Sequence, residues 1–267
     1  MREEVYRATQ GKIDFFQTPK FVRIARYGKK IQMNEGVCPA YSDCRMGLSP
    51  DRFILSYCDR ALGITSAEEQ PVLPKGNNLS LHLLELFTSQ VAKVGMTDGI
   101  RQVLQEESDA LRAYYEQAGI LIARPAGGTS CRLAISAKGG TNAENHNHND
   151  VGSYAVALGS ETMVGDQGGP NSYPGDYFNG DAPQKYKIKG SFGHPVPVVD
   201  GRTQSSGGKA KGVVLQKEFT NEKDVFSIDY TSAYSTPNLD KLIRTFVYDR
   251  QGKGSFTVGD EFTAKTP

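Results

Sequence analysis

The chain has 267 residues, which is enough for one or two domains that each bury a normal core. Its 31 Lys and Arg residues nearly balance its 30 Asp and Glu residues, so a surface built for nucleic acid or an anionic membrane is not indicated. The start of the chain lacks the apolar core of an export signal, and no apolar run approaches the length of a membrane span.

The first part of the chain is predicted to contain helices. Segment 51–63 (DRFILSYCDRALG) has apolar residues at helical spacing and a glycine stop, and segment 77–95 repeats this design. Segment 100–115 is a third, less apolar candidate. His82 falls within the second segment, where we expect it to pack or to lie on the helix surface. These helices are too few for a bundle of any size, which suggests part of a larger architecture.

The character of the sequence changes near residue 117, where short strands broken by glycine turns are predicted. The strand-like segments are 118–125, 130–140, 151–169, 194–201, 211–234 and 240–262. TNEKD and RQGKG are typical of hairpin turns, and VFSIDY and RTFVYD alternate as half-buried strands do. The pattern predicts a mainly β protein: an antiparallel β-sandwich over 118–267, preceded by a short α-helical segment over 1–117. The last strand signal has no closing element after it, so the sandwich is expected to be truncated at its C-terminus.

The four cysteines, Cys38, Cys44, Cys58 and Cys131, form no CxxC motif, so neither a zinc ribbon nor a redox motif is supported. We expect mostly free thiols, with a disulfide from Cys38 to Cys44 or Cys58 as the alternative.

A dense polar run, NHNHND, precedes the segment VGSYAVALGS. Its two histidines, His146 and His148, are two positions apart, so on a strand both would face the same side and could share one metal. Asp166 and His194 lie downstream at predicted strand ends, and such a set suits zinc, manganese or iron(II). The alternative is a polar turn or a surface pair, in which Asp150 turns the backbone.

The loop GGPNSYPGDYFNGD (168–181) carries two tyrosines, Tyr173 and Tyr177. A tyrosine beside a histidine can act as general acid or base, although packing is the commoner role. Basic residues follow this loop, and they either meet an anionic polymer or form a solvated face; they are Lys185, Lys187, Lys189 and Arg202. GxSxG, P-loop and GxGxxG motifs are all absent from the sequence, so nucleophile-elbow and nucleotide-binding functions lack support.

The stretch NHNHNDVGSYAVALGSETMVGDQGGPNSYPGDYF, followed by GHPVPVVDG, resembles the heparinase II/III-like polysaccharide lyase domain. The specific part of the resemblance covers 119–201. It extends weakly to RTFVYDR and GSFTVGDEF, and MNEGVCPAYSDCRMG resembles the loop after the helical toroid of these enzymes. The resemblance implies an (α/α) toroid, of which 1–117 is the last part, followed by an antiparallel β-sandwich.

The resemblance also implies a reaction, the β-elimination of uronate-containing polysaccharides such as glycosaminoglycans or alginate. A base removes the proton alpha to the uronate carboxylate, an acid protonates the departing glycosidic oxygen, and the carboxylate must be neutralised. On the matching positions, His148, Asp166 and His194 become the ligands of zinc or another divalent metal, which shapes the site. His146 becomes a cleft-facing catalytic histidine.

Other candidate site residues come from the resemblance and from the basic cluster after the tyrosine loop. Tyr173 or Tyr177 is expected to approach the sugar as a catalytic residue, without a choice between the two. Asn145, Lys185 and Arg202 are candidates for binding an acidic polysaccharide or oligosaccharide. The family's principal catalytic tyrosine and its asparagine or histidine partner belong to the toroid and have no match here, so we expect weak or no lyase activity from this chain alone. The resemblance places the protein in the periplasm or outside the cell.

Two interpretations of other classes stay open. One is a non-catalytic carbohydrate-binding or scaffold module with a structural metal, which a toroid bearing catalytic residues upstream would disfavour. The other is a cupin-like iron(II) oxygenase, since an HxH pair with a later Asp or His can form a facial triad. Iron content and oxygen-dependent turnover would identify the oxygenase.

Overall fold

A computed structural model describes residues 2–65, 91–108 and 110–265 of the chain. They form two compact units, the first from Met1–Lys30 and Pro50–Asp109, the second from Ile31–Ser49 and Ala110–Pro267. The division therefore differs from the sequence-predicted boundary at 117, since segment 31–49 belongs to the second unit. His82 and most of the predicted helix over 77–95 lie outside the described residues. No helix in the described part of the chain is long and apolar enough to cross a membrane.

The described part of the first unit is helical. Its described helices are α1 (Arg2–Ala8), α2 (Pro19–Lys30), α3 (Arg52–Ala61) and α4 (Asp98–Glu106). The prediction over 51–63 is confirmed by α3, which begins after Asp51 because that side chain accepts the backbone N–H groups of Phe53 and Ile54. These elements share an apolar core of Phe16, Val22, Cys58, Ala61, Leu62, Val94, Ile100 and Val103.

The predicted helix over 100–115 is wrong in its second half. The helix ends at Glu106, and Arg112–Tyr115 is the first strand of a sheet. The sequence RAYY carries two adjacent aromatic residues, which fit a pleated surface better than a helix, and it pairs antiparallel with Ile120–Ala123. Hairpin pairing with the next strand therefore decides the conformation of this segment.

The described residues of the second unit contain ten strands in two antiparallel sheets, which form a β-sandwich. The strands are β1 (Arg112–Tyr115), β2 (Ile120–Ala123), β3 (Leu133–Lys138), β4 (Gly140–Asn142), β5 (Tyr154–Leu158), β6 (Glu161–Val164), β7 (Gly207–Phe219), β8 (Lys223–Asp229), β9 (Leu239–Asp249) and β10 (Ser255–Ala264). The first sheet has the order β1-β2-β3-β5-β6, and the second has the order β10-β9-β8-β7-β4. A short helix, α5 (Ala182–Lys185), lies in the long connection between β6 and β7.

The predicted hairpins and alternation are confirmed in the second sheet. TNEKD joins β7 to β8, and RQGKG joins β9 to β10. Every second residue of β9 is buried from Leu242 to Tyr248, as one face of this strand packs into the core between the sheets.

The predicted strand over 194–201 is wrong, because Pro195 and Pro197 remove backbone donors and the segment is a loop with one isolated bridge. All four cysteines are free thiols.

The centre of the first sheet is buried on both faces, which explains the almost unbroken burial of β3. Ile135 and Ala137 face the core shared with the second sheet. Ala134 lies on the opposite face, in a second core formed with Met33 and Val37 of segment 31–49. This segment therefore covers the outer face of the sheet and carries its own polar residues to that face.

One hydrogen bond on this outer face lends itself to a test. The Tyr41 hydroxyl lies 2.8 Å from the Ser136 hydroxyl, and both side chains are buried. We expect Tyr41→Phe to lower the free energy of unfolding by about 1–2 kcal/mol, because it leaves a buried hydroxyl without its partner. Urea unfolding of Tyr41→Phe, Ser136→Ala and the double variant measures the coupling. Additive losses in the double variant would show that this bond does not stabilise the fold.

Candidate functional site

Three buried polar side chains meet in the second unit: His148, Asp166 and His194. His148 lies in the loop after β4, Asp166 follows the end of β6, and His194 follows a single 3₁₀ turn over Ser191–Gly193. One ligand atom from each lies within 4.8 Å of the others. The structure thus brings together three residues that are separated by up to 46 positions in the sequence (194 − 148).

The hydrogen bonds of this cluster leave ligand atoms available. The Nδ1 atom of His194 lies 2.6 Å from the Asp166 carboxylate, and the two histidine rings are 5.3 Å apart. His148 Nδ1 and His194 Nε2 are buried without a hydrogen-bond partner among the described residues. Buried polar atoms are normally paired, so two imidazoles that each keep an orphaned nitrogen, clustered with a carboxylate, fit a metal ion. Two imidazoles and one carboxylate form a donor set that zinc accepts.

Charge and burial act differently on the two histidines. Burial and the neighbouring His194 lower the pKa of His148, so its ring is held in the neutral form that binds metals. Burial also acts to lower the pKa of His194, but the hydrogen bond and charge of Asp166 outweigh it and raise that pKa. The carboxylate thereby fixes the orientation of the His194 ring.

Asp43 links the buried cluster to the exposed His146, and it was not among the residues predicted from the sequence. Its carboxylate contacts His146 Nδ1 and lies 3.3 Å from both His148 Nε2 and the Tyr177 hydroxyl. Asp43 belongs to segment 31–49, which the Gly169 N–H holds through a 3.3 Å hydrogen bond to the Cys44 carbonyl. The stretch MNEGVCPAYSDCRMG was the one sequence signal that pointed to this loop.

His146 does not share a strand face with His148, so the geometric prediction from the HxH spacing is wrong. Residues 143–149 form a turn and an irregular segment, and His146 has a left-handed backbone with φ 56°. The two rings differ in burial: His148 is buried, whereas the His146 side chain is 54% exposed, although both rings contact the Asp43 carboxylate. Ser42 donates a hydrogen bond to the His146 carbonyl and, like His146, has a positive φ, so both backbones are strained at this point.

The two tyrosines of the 168–181 loop occupy different places. The Tyr177 hydroxyl lies 3.2 Å from His148 Nε2 and 3.3 Å from Asp43, and its side chain is buried. Burial and the charge of Asp43 raise its pKa well above the ordinary tyrosine value, which favours the protonated, hydrogen-bonding form. Tyr173 is exposed, and its ring contacts the Tyr177 ring at a tilt, with centroids 5.2 Å apart.

The candidate substrate-binding residues are dispersed. Asn145 is exposed beside His146, and Arg202 is exposed in the loop before β7. Lys185 pairs with Asp176, so its charge is partly neutralised. Lys189 is buried and donates 2.9 Å to the Tyr177 carbonyl, so it supports the tyrosine loop instead of forming a solvated face.

The fold was compared with known protein families, curated sequences and solved structures. No protein-family model matches the chain, and no curated protein matches it by sequence. Solved structures do match, and they show a heparinase-like polysaccharide lyase fold.

The individual structures carry the names heparan sulfate lyase HepC and heparinase III. Heparan sulfate lyase HepC from Pedobacter heparinus matches with a TM-score of 0.55 and 14% identity, over 89% of this chain and 31% of that chain. A heparinase III with methylated lysines matches with a TM-score of 0.55 and 13% identity, over 91% of this chain and 31% of that chain. A second structure titled heparinase III matches with a TM-score of 0.52 and 12% identity, over 91% of this chain and 32% of that chain. This chain therefore spans about a third of the length of these lyases.

Proposed function

We propose that this chain forms the β-sandwich side of a polysaccharide lyase site that cleaves uronate-containing polymers by β-elimination. The observation that carries the proposal is His146, a half-exposed imidazole whose Nδ1 is held by Asp43 beside the buried His148, Asp166 and His194 cluster. The heparinase-like fold supports the reaction class. The polymers cleaved by such lyases lie outside the cytoplasm, so we propose a periplasmic or extracellular location.

The chemistry that these residues can supply follows from their protonation and exposure. Asp43 fixes the His146 ring through Nδ1, which leaves Nε2 as the ring nitrogen available to a ligand. That nitrogen can take the proton alpha to the uronate carboxylate or, when protonated, can hydrogen-bond the carboxylate and stabilise its added negative charge. The elimination breaks the glycosidic C–O bond as the ring double bond forms, and the leaving oxygen must gain a proton.

The buried cluster is proposed to hold zinc or another divalent metal through His148, Asp166 and His194. Zinc bound there supplies positive charge and ties three loops together. Tyr177 would act as a positioning residue, because its buried hydroxyl contacts His148 Nε2 and Asp43.

A second candidate function is a non-catalytic carbohydrate-binding module with a structural metal. The complete burial of the His148 and His194 side chains favours it, since structural metal sites are closed whereas catalytic sites keep a position open to substrate. In this alternative His146 contacts an acidic sugar without moving a proton.

The lyase proposal is tested with the zinc-loaded chain during long incubations with heparan sulfate, chondroitin sulfate, hyaluronan and alginate. We expect slow formation of unsaturated, ultraviolet-absorbing oligosaccharides from at least one polymer. His146→Ala is expected to lower that rate by roughly 10²–10⁴-fold, the usual contribution of a positioned acid or base. Glu161→Ala, at an exposed position on β6, is the control and should leave the rate unchanged.

Mass spectrometry of the products separates the alternatives. Saturated ends would show hydrolysis and contradict the proposed reaction. Absence of unsaturated products together with tight binding of an acidic oligosaccharide would contradict the lyase proposal and favour the non-catalytic module.

A further inference from the structure

Two aromatic side chains form an exposed surface beside His146. Phe178 is 55% exposed and Tyr173 is 45% exposed, and their ring centroids lie 5.1 Å apart. The Phe178 ring also meets the His146 ring nearly at right angles, with centroids 5.2 Å apart and an interplanar angle of 82°. We call the pair Tyr173 and Phe178 the aromatic platform.

The platform is held in place from the protein interior. Tyr177 is 1% exposed, and its ring contacts Tyr173 at 5.2 Å and Phe178 at 5.3 Å between centroids. The Lys189 ammonium lies 5.0 Å from the Phe178 centroid and 4.6 Å from the Tyr177 centroid. These contacts limit the motion of the exposed rings, so little conformational entropy remains to be lost when a ligand binds.

The neighbours of the platform indicate what it would contact. Covering an exposed aromatic ring that is already held in place buries apolar surface and allows ring stacking, so the platform offers a binding surface. A pyranose ring has an apolar C–H face that suits an aromatic ring and polar groups at its edge. The edge group nearest the platform would meet the exposed imidazole of His146, which can donate a hydrogen bond to a carboxylate.

We propose that Tyr173 and Phe178 stack against a pyranose ring of an acidic polysaccharide, with the uronate carboxylate of the same or the adjoining sugar facing His146. The inference rests on the proposed function for its ligand class and goes beyond it by assigning Phe178 and a sugar subsite. The platform sets affinity for the polymer and does not take part in proton transfer.

The test measures binding of uronate-containing hexasaccharides, prepared from heparan sulfate and from alginate, to the zinc-loaded chain by calorimetry. Phe178→Leu keeps an apolar side chain but removes the ring, and we expect Kd for the bound hexasaccharide to rise by roughly fivefold to tenfold. Phe178→Tyr restores the ring and should bind within about twofold of the original chain. Phe262→Leu, at a phenylalanine on β10 that is 68% exposed, is the matched control and should leave Kd unchanged.

The outcomes separate the platform from the lyase proposal. Zinc content and urea unfolding equal to the original chain show that Phe178→Leu is folded and keeps the buried cluster. An unchanged Kd in Phe178→Leu, or absence of binding by both hexasaccharides, would overturn the platform even if unsaturated products form. A Kd that depends on Phe178 would support the platform even if no unsaturated product forms and the lyase proposal fails.

Discussion

Replacing His148 or Asp166 with alanine is expected to remove zinc from the protein, from about one ion per chain to a small fraction. Three described ligand atoms converge in the buried cluster, so loss of one leaves two donors and an enlarged cavity. Metal binding that is coupled to a folded site also stabilises the native state, so the zinc-dependent rise in Tm should disappear in both variants. Zinc quantification after exposure to equimolar zinc and dialysis measures the first effect, and thermal unfolding with and without chelator measures the second.

His146→Ala is the matched control for these two variants. It removes an imidazole only two positions from His148, but that ring is exposed and its Nδ1 is bonded to Asp43. We expect zinc content in His146→Ala to equal that of the original chain. Unchanged zinc in His148→Ala and Asp166→Ala would contradict the metal site, and loss of zinc in His146→Ala would show that the exposed ring is itself a ligand.

Local sequence patterns predict much of the β-sandwich. Alternation and hairpin turns identify β7 to β10, because each of these strands pairs with its neighbour in sequence and needs no distant information. RAYY also pairs with its neighbour in sequence, β2, but a helical pattern that ends at Glu106 runs up to it, so the predicted helix extended too far. The strand prediction over 194–201 is wrong for a local reason, because proline has no backbone N–H to donate to a β-sheet hydrogen bond.

The candidate site was predictable in its residue types but not in its arrangement. His148, Asp166 and His194 were found because their types and spacing match a family pattern, whereas an HxH pair on a strand would have placed His146 in the same cluster. His146 has a left-handed backbone and an exposed ring whereas His148 is buried, and a single sequence gives no sign of that conformation. Asp43 could not be found by spacing, because it reaches the site only through the packing of segment 31–49 on the outer face of the first sheet.

Gly168→Ala is expected to destabilise the second unit and to displace Asp43. Gly168 has φ +65°, and a Cβ atom added there would lie 1.6 Å from the Cys44 carbonyl oxygen and 3.0 Å from that of Ala40. The obstacle is backbone, so segment 40–44 or the loop after Asp166 has to shift. We expect a loss of about 3 kcal/mol in the free energy of unfolding, the sum of overpacking and left-handed strain.

The displacement also has a consequence for the site, because Gly168 donates its N–H to Asp166 and lies beside the loop that carries Asp43. Urea unfolding measures the stability loss, and the weakened zinc affinity of the folded fraction reports the shift of Asp166. Gly175→Ala is the control in the same connection, since a Cβ atom there meets nothing within 4 Å and φ is not positive. Equal stability and zinc affinity in Gly168→Ala and Gly175→Ala would show that segment 40–44 does not pack against the loop after Asp166. That result would also contradict the position of Asp43 beside His146.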